Sequence, residues 1–459
     1  MQKIISNNIA KNVLLSLTAQ IISLGTSLVI NLLVPKYIDG FQYALWQTYI
    51  LYASYTGILH LGILDGITLR YSKYDYNELN KEKFSSNFWF LVFILTSFST
   101  LGILISIFLL NGNNQIIFSM VSLSIITKNL FMFSSNSFQI TNRINLYTKL
   151  VIKQRFIYGL LTILLIILNQ KMFILYCIAD LISDILGFIS TFSENNEIYK
   201  YFNNITNNKE ELFENLKSGI SLMIANFSSN FIVGSSKIYI QTFWGAIIFG
   251  QVSFGFSITN LFLSFVTAIS IVLFPSIKRM DKSELTGFYF KVRNLISPLL
   301  FFALLFYFPG SKFLSYWLPN YQQSLVYAGV LLPIIIYSVR ISLLINNYFK
   351  AFRLEKELLK INLTSIVLEL IGLFLIHCFF KNVLLILTWT VVVTVIKSMW
   401  SEFIICKLFS VNILFDNVLE IVLISHFIIF NLFFSSIYSF ILYFLLFCFY
   451  LFLKIKFLK

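Results

Sequence analysis

Apolar positions in this chain come in long unbroken runs, and polar residues gather in short clusters between them. Runs of about 20 residues fall near 13–35, 42–68, 86–110, 116–140, 149–169, 172–192, 217–242, 246–275, 294–313, 322–347, 361–380, 383–406, 417–434 and 436–455. An α-helix needs about 20 apolar residues to cross the hydrocarbon core of a bilayer. Strands of an outer-membrane barrel would be about ten residues long and would alternate apolar with polar. The pattern therefore predicts an all-α, polytopic membrane protein with about fourteen transmembrane helices joined by short connections. The first run is too long for the apolar region of a signal peptide and ends at Pro35, Lys36 and Asp39 with no A-x-A site, so it reads as a retained helix. The turn between the last two runs, at Ser435, Ser436 and Ile437, is the most weakly marked.

Composition agrees with the pattern. Apolar residues make up 58% of the 459 and charged residues only 12%, with a mean hydropathy of +0.82. Soluble domains carry about 45–50% apolar and about 25% charged residues. The values exclude a soluble protein, whose cores could not hide this much apolar surface, and a disordered chain, which needs low hydrophobicity. The net charge is +14. Nucleic acid is not the partner this implies, because the basic residues are few and scattered. Their positions instead report topology. Clusters such as Arg70, Lys73, Lys81 and Lys83, or Lys350, Arg353, Lys356 and Lys360, fall in alternate connections. The other connections hold only Lys36, Lys171, Lys312 and Lys381. This bias places both termini in the cytoplasm by the positive-inside rule. Arg155 and Arg293 are read here as inner-loop residues.

No loop is long enough for a soluble domain. The longest, 193–216, is polar and reads as a cytoplasmic linker, which gives its Asn204-Ile205-Thr206 sequon no weight. The proposed organisation is an N-terminal lobe over 1–192 (helices 1–6), the linker 193–216, a C-terminal lobe over 217–406 (helices 7–12) and a final helix pair over 407–459. A faint internal echo, with Phe41 against Phe249 and Gln42 against Gly250, fits two six-helix lobes. Internal repeats are usual in secondary transporters, whose sites lie between the repeats. No phosphate-binding loop, H-E-x-x-H or G-x-S-x-G is present. The histidines His60, His377 and His426 are far apart in sequence, and Cys177, Cys378, Cys406 and Cys448 stand singly in apolar runs. They read as structural residues rather than ligands, so no metal and no cofactor is expected.

The segment His60-Leu61-Gly62-Ile63-Leu64-Asp65-Gly66-Ile67-Thr68-Leu69-Arg70-Tyr71 resembles the L-G-x-x-D-G-x-x-x-R-Y signature of polysaccharide-biosynthesis flippases. Gly219–Asn226, Phe254–Asn260 and Val272–Arg279 resemble the start of the second lobe in the Wzx-like members of the MATE-related exporter superfamily. One departure is visible. Gly234-Ser235-Ser236-Lys237 stands where many relatives have G-x-D followed by Arg, so the cation is kept and the acid is lost. The resemblance implies a V-shaped, MATE-like fold in a bacterial cytoplasmic membrane. It also implies alternating access, and an undecaprenyl-pyrophosphate-linked oligosaccharide (O-antigen, capsule or another surface-glycan repeat unit) as cargo. Other glycan-assembly membrane proteins are the partners it implies. The rival readings are a MATE-type ion-coupled antiporter, which predicts a net acidic cavity, and a membrane glycan polymerase or glycosyltransferase, which predicts a large outer catalytic loop. A third is a scaffold that does not transport.

Lys128, Lys237, Arg340 and Lys397 remain inside apolar runs. A charge at mid-membrane costs about 2.5–3.5 kcal/mol on insertion scales and faces a cavity or a partner. Lys397 reads as snorkelling inward. For Lys128, Lys237 and Arg340 two readings stand side by side: ion pairs with Asp180, Asp184 or Glu369, or donors to the cargo pyrophosphate. Asn226 and Asn230, with Ser229, Asn346 and Asn347, are candidate cavity-lining groups. Asp180, Asp184 and Glu369 are candidates to carry a coupling H+ or Na+. Asp65 and Arg70 form a candidate inner gate, in which Arg70 meets an acid of the other lobe.

Overall fold

The structure, a computed structural model, describes residues 2–200, 208–279, 282–352 and 354–457. Side chains are described except at 2–14, 261–279, 282, 283, 350, 355 and 457. Asn204-Ile205-Thr206 lies outside the described residues, and the Val272–Arg279 stretch is described as backbone only. All regular structure among the described residues is helical.

Eighteen helices follow in order: α1 Gln2–Tyr37, α2 Gly40–Ala53, α3 Ile63–Tyr71, α4 Lys81–Leu109, α5 Gly112–Ile140, α6 Ile144–Ile167, α7 Phe173–Ile189, the single turn α8 Asn196–Tyr199, α9 Lys209–Arg279, α10 Lys282–Leu304, α11 Tyr307–Trp317, α12 Gln322–Leu331, α13 Ile334–Arg340, α14 Asn346–Ala351, α15 Glu355–Phe379, α16 Val383–Phe409, α17 Leu414–Phe433 and α18 Ser436–Phe457. Polar residues set several ends. Asp39, Asn80 and Asn382 accept the first free backbone N–H groups of α2, α4 and α16.

Ten helices among the described residues are long and apolar enough to span a membrane, or twelve if each of two bent pairs is one span. The expected fourteen is not reached on this count, for two physical reasons. α7 has 17 residues, at the lower limit for a span. α9 has 71 residues and would be about 105 Å long if straight, but Gly245 breaks it with φ 78°, ψ 175°, which is not helical. The bent pairs are α2 with α3, turned by 57° at Leu61–Gly62, and α12 with the α13–α14 stretch, turned by 43°. In the second, a π-helical turn at Ile341–Ile345 follows Arg340.

The chain divides into two compact units, Met1–Phe227 and Ser228–Lys459, with the boundary inside α9. Unit 1 therefore takes the 193–216 segment and the first turns of α9. Unit 2 takes α17 and α18. In unit 1, α1 packs along α6, α4 along α5, and α7 against both α5 and α6. Its core gathers Ile63, Ile67, Phe84, Phe88, Leu91 and Phe133. In unit 2, α15 packs along α16 and α17 along α18, around Tyr289, Phe301, Phe308, Tyr348, Phe427 and Tyr443. Outward faces carry exposed Phe108, Leu109, Phe379 and Phe433, as a lipid-facing surface requires.

The start of the 193–216 segment is folded onto unit 1. Arg143 Nη2 donates to Asn195 Oδ1 at 2.6 Å, Asn195 Nδ2 to Ser137 Oγ at 2.9 Å, and Trp89 Nε1 to the Tyr199 carbonyl at 3.2 Å. Its far end opens α9, which crosses α3 with backbone against backbone. Gly62 and Gly66 form a G-x-x-x-G step, and Gly219 of α9 sits upon it. A Cβ on Gly66 would run into the Asn215 carbonyl, and one on Gly219 into the Gly62 carbonyl. Gly62 also has φ +87°, a conformation L side chains rarely adopt. Such small-residue crossings are how helices approach closely in lipid, where no hydrophobic effect drives them together. Gly66→Val and Gly219→Val should each destabilise the protein by more than about 3 kcal/mol, the upper end for overpacking. The readout is loss of the monodisperse peak and lowered Tm in detergent. Gly287→Ala, whose new Cβ meets nothing within 4 Å, should leave both unchanged.

Candidate functional site

Unit 1 encloses a cavity of about 390 Å³. Its walls are Ser27, Ile30 and Asn31 of α1, Trp46, Ile50 and Ala53 of α2, Lys128, Asn129 and Met132 of α5, Arg155 and Tyr158 of α6, and Asp180 of α7, closed by Ser54, Thr56 and Gly57. Hydroxyl, amide and charged groups thus meet inside helices whose outer faces are apolar.

Lys128 is the centre of the charge arrangement. Its Nζ lies 2.6 Å from Asp180 Oδ2 and 3.3 Å from Asp184 Oδ2. The two acids are one turn apart on α7 and so share a face. Tyr49 donates to Asp180 Oδ2 at 2.8 Å, and Gln154 Nε2 to Asp184 Oδ1 at 2.9 Å. Four helices therefore contribute to one network, and both carboxylates have donors besides the lysine. Arg155 faces the same cavity and makes no salt bridge or hydrogen bond among the described residues. Two cations and two carboxylates make the site formally neutral, and Arg155 lies within electrostatic reach of Asp184 and Tyr158 without a direct ion pair. Trp46 Nε1 and Asn129 Oδ1 are buried here without a hydrogen-bond partner among the described residues. Buried polar atoms are nearly always satisfied, so unsatisfied ones beside a polar cavity mark where water or a polar ligand belongs.

A second arrangement lies where α3 meets α9. Arg70 Nη1 is 2.8 Å from Glu211 Oε1 and Nη2 is 2.5 Å from Glu214 Oε2, while Nη1 also donates to Asn215 Oδ1 at 2.8 Å. Tyr71 donates to Glu211 Oε1 at 2.7 Å. Arg70 is thus clamped to the segment that opens α9, inside unit 1. Asp65 lies one end of α3 away, with Asn226 Nδ2 at 3.4 Å from its Oδ1 and His60 Nε2 at 3.7 Å from its Oδ2. The Asp and Arg of the signature therefore have separate partners.

Unit 2 holds an ionic cluster that is buried except at Asp416, whose side chain is 24% exposed. Arg340 Nη2 is 2.7 Å from Glu420 Oε2 and donates to Ser297 Oγ at 2.8 Å, and its Nη1 is 3.2 Å from Glu402 Oε2. Arg293 Nε is 2.6 Å from Glu402 Oε1, and its Nη1 is 3.0 Å from Asp416 Oδ2. Tyr289 adds a hydrogen bond to Glu402 Oε1 at 3.0 Å. A space of about 10 Å³ lies beside the two guanidiniums. Arg340 is therefore spent on acids of α16 and α17, and the cluster joins α10, α13, α16 and α17.

The remaining candidates stand apart. Lys237 lies 4.5 Å from the centre of the Phe256 ring and makes no salt bridge among the described residues. Lys397 is buried and donates to the Ser229 carbonyl and hydroxyl, both at 3.3 Å, so it is held at Ser229 by hydrogen bonds instead of snorkelling. Glu369 accepts from Thr390 Oγ1 at 2.8 Å and faces no cation among the described residues. Asn230 is exposed and Asn347 donates to the Leu343 carbonyl of its own helix. Among the described residues no group of three or more His, Cys, Asp or Glu side chains is placed to hold a metal ion.

Sequence reasoning missed Arg155, Arg293, Glu402, Asp416 and Glu420. Arg155 and Arg293 lie well inside α6 and α10, not in loops. Glu402, Asp416 and Glu420 stand within or beside the runs 383–406 and 417–434, with nothing in the sequence to assign them to Arg340. Removing one partner of a buried pair costs about 3–5 kcal/mol because the other charge is left uncompensated. Arg340→Met alone should therefore lower stability in detergent by about that amount. Arg340→Met combined with Glu420→Leu should lose less than the sum of the two single changes, as a double-mutant cycle of thermal unfolding will read.

No protein-family model matches the sequence, and no curated protein matches it by sequence. Solved structures do match. The chain is similar to the lipid II flippase MurJ in an inward closed conformation, with a TM-score of 0.67 and 13% identity over 98% of this chain and 99% of that one. It is similar to an inward-facing multidrug resistance MATE family transporter of the MOP superfamily, with a TM-score of 0.61 and 12% identity over 86% and 100% of the two chains. A Vibrio cholerae MATE transporter gives 0.55 and 15% over 88% and 97%. At these identities the likeness is one of fold: the chain has the fold shared by MurJ and the MATE transporters, and the MurJ likeness runs through nearly its whole length.

Proposed function

We propose that this protein is a flippase that carries an undecaprenyl-pyrophosphate-linked oligosaccharide from the inner to the outer leaflet by alternating access. The observation that carries this reading is the unit 1 cavity. It brings the guanidinium of Arg155, which makes no salt bridge or hydrogen bond among the described residues, into the same cavity as Lys128 and several hydroxyl and amide groups, all within helices that face lipid. A pyrophosphate is held by charge-assisted hydrogen bonds, to which the guanidinium fork is suited. Hydroxyl and amide groups such as Ser27, Asn31, Ser54 and Thr56 suit a glycan. The lipid tail can stay in the bilayer while the head group enters. The MurJ fold supports a cargo of this kind.

In this reading Arg155 meets the phosphate first. Lys128 joins when Asp180 and Asp184 take up a coupling ion, H+ or Na+, and release it. Each ligand then shifts the balance between inward-open and outward-open states by its differential affinity. Glu369 is a second candidate for the coupling ion. The protein belongs in a bacterial cytoplasmic membrane with both termini cytoplasmic, where other glycan-assembly membrane proteins would be its partners. A MATE-type exporter of cationic compounds is the second reading, and the carboxylates Asp180 and Asp184 at the same cavity favour it.

A deletion strain should accumulate lipid-linked repeat units on the cytoplasmic side and lack mature surface glycan. Unchanged surface glycan would sink the proposal. In the same strain Arg155→Gln, expressed at the normal level, should restore at least tenfold less surface glycan than the parent protein, the loss of one charge-assisted contact of about 1.5–3 kcal/mol. Arg155→Lys should restore part of it. A deletion strain that instead becomes sensitive to cationic drugs would favour the exporter. Asp184→Asn should leave residual transport that no longer responds to the proton or sodium gradient.

A further inference from the structure

A polar pocket of about 550 Å³ lies in unit 1, apart from the cavity described above. It opens where the chain leaves α3 and enters α4, at the end of the helices that the basic-residue bias assigns to the cytoplasm. Its charges divide into two groups. Arg70 is committed to Glu211, Glu214 and Asn215. Glu78 is turned to the backbone N–H of Asp75 at 3.1 Å. Lys73 and Lys83 are the cations left facing the space. Lys73 makes no salt bridge among the described residues and rests 4.9 Å from the centre of the Tyr74 ring. Lys83 has a half-exposed side chain and only a 3.8 Å approach to Glu211 Oε2, too long for a hydrogen bond.

The rim of this pocket is of a different chemistry. Leu69 and Tyr74 are exposed there, at 52% and 39%. An exposed leucine beside an exposed tyrosine is the mark of the membrane–water boundary, where aromatic residues with one polar end collect. Next to it, Lys81 and Arg143 lie over the Tyr76 ring, 3.4 and 3.7 Å from its centre, and Lys81 is also paired with Glu197 at 3.0 Å. The ligand that matches all of this has a phosphodiester for the two lysines and an apolar body for the rim. Basic pockets on the cytoplasmic side of membrane helices hold anionic lipid head groups by the same chemistry.

We propose that this pocket binds the head group of an anionic phospholipid of the inner leaflet, with Lys73 and Lys83 on the phosphate and Leu69 and Tyr74 along the glycerol and the upper chains. The site stands independently of the cargo assigned to the unit 1 cavity. It also places a lipid phosphate beside Glu211, the residue to which Arg70 and Tyr71 are tied.

The test uses the full-length protein in nanodiscs and in detergent, with dioleoyl phosphatidylglycerol and dioleoyl phosphatidylcholine as probes and native mass spectrometry or a spin-labelled lipid as readout. The parent protein should retain the anionic lipid in preference to the zwitterionic one. Lys73→Gln with Lys83→Gln should weaken that retention about 30-fold, which at about 1.4 kcal/mol per tenfold corresponds to about 1 kcal/mol for each lysine. Both side chains are at the surface, and an unchanged elution profile will show that the variant is folded. The pair Lys149→Gln with Lys153→Gln, on α6 and away from the pocket, should leave retention unchanged. The proposal is overturned if the parent protein does not discriminate between the two lipids, or if both lysine pairs reduce retention equally, which is general attraction to a charged surface. It is overturned too if inorganic phosphate at millimolar concentration displaces the lipid, since a free anion would then be the occupant.

Discussion

A charge within hydrocarbon needs a counter-charge or polar partners inside the protein, and in each unit the largest such network draws several helices together. In unit 1, Lys128 draws α7 towards α5 through Asp180 and Asp184, while Tyr49 and Gln154 bring α2 and α6 to the same carboxylates. In unit 2, Arg293 and Arg340 hold α10 and α13 to Glu402, Asp416 and Glu420 of α16 and α17. The two clusters differ in what surrounds them. In the unit 2 cluster Arg293, Arg340, Glu402 and Glu420 are buried and only Asp416 is partly exposed, so its cost in desolvation is repaid only by a full set of partners. The unit 1 cluster borders a cavity of about 390 Å³ that a second cation, Arg155, also lines. This difference in surroundings, more than the residue types, separates a structural ion network from a candidate binding site.

The second constraint is close approach of backbones. The run from Gly62 to Tyr71 acts as a docking strip for the start of α9. Gly62 and Gly66 admit the backbone at Asn215 and Gly219, Arg70 takes Glu211 and Glu214, and Tyr71 takes Glu211 again. The glycine, arginine and tyrosine positions of the signature that resembles the flippases thus have a direct physical task. Asp65 has a different one, facing His60 and Asn226.

Much of the fold was legible because long apolar runs leave a polytopic helical protein as the only solution in lipid. Helix count was less legible. The Leu61–Gly62 corner lies inside the run 42–68, whose composition gives no warning of it, and α7 is short, whereas the Gly245 break falls where the runs 217–242 and 246–275 meet. Of the candidate site, one-turn spacing put Asp180 and Asp184 on one helix face and made them possible partners for an intramembrane cation, but it did not say which of Lys128, Lys237 and Arg340 they would meet. Arg155 was not legible, because a cation near the start of an apolar run looks the same whether it sits in a loop or, as here, about three turns into a helix that begins before the run. The role of Arg340 was hidden for a related reason. Its acids lie far along the chain, and sequence spacing says nothing about which distant helices become neighbours.

The order in which these charges are made has a consequence for biogenesis. Lys128 is synthesised before Asp180 and Asp184, and Arg293 and Arg340 before Glu402, Asp416 and Glu420. In both units the cation enters the membrane first and waits for its acid. Each waiting charge is tolerated at about 2.5–3.5 kcal/mol on insertion scales, a cost that the apolar remainder of its helix can offset. The helix is thus inserted but not settled until α7, or α16 and α17, arrive. The late acids then act as a check on completion: a chain that stops before α17 has Arg340 without Glu420 and Arg293 without Asp416. An unfinished chain of this kind carries exposed charge within the bilayer, the feature by which membrane quality control can tell it from a finished one.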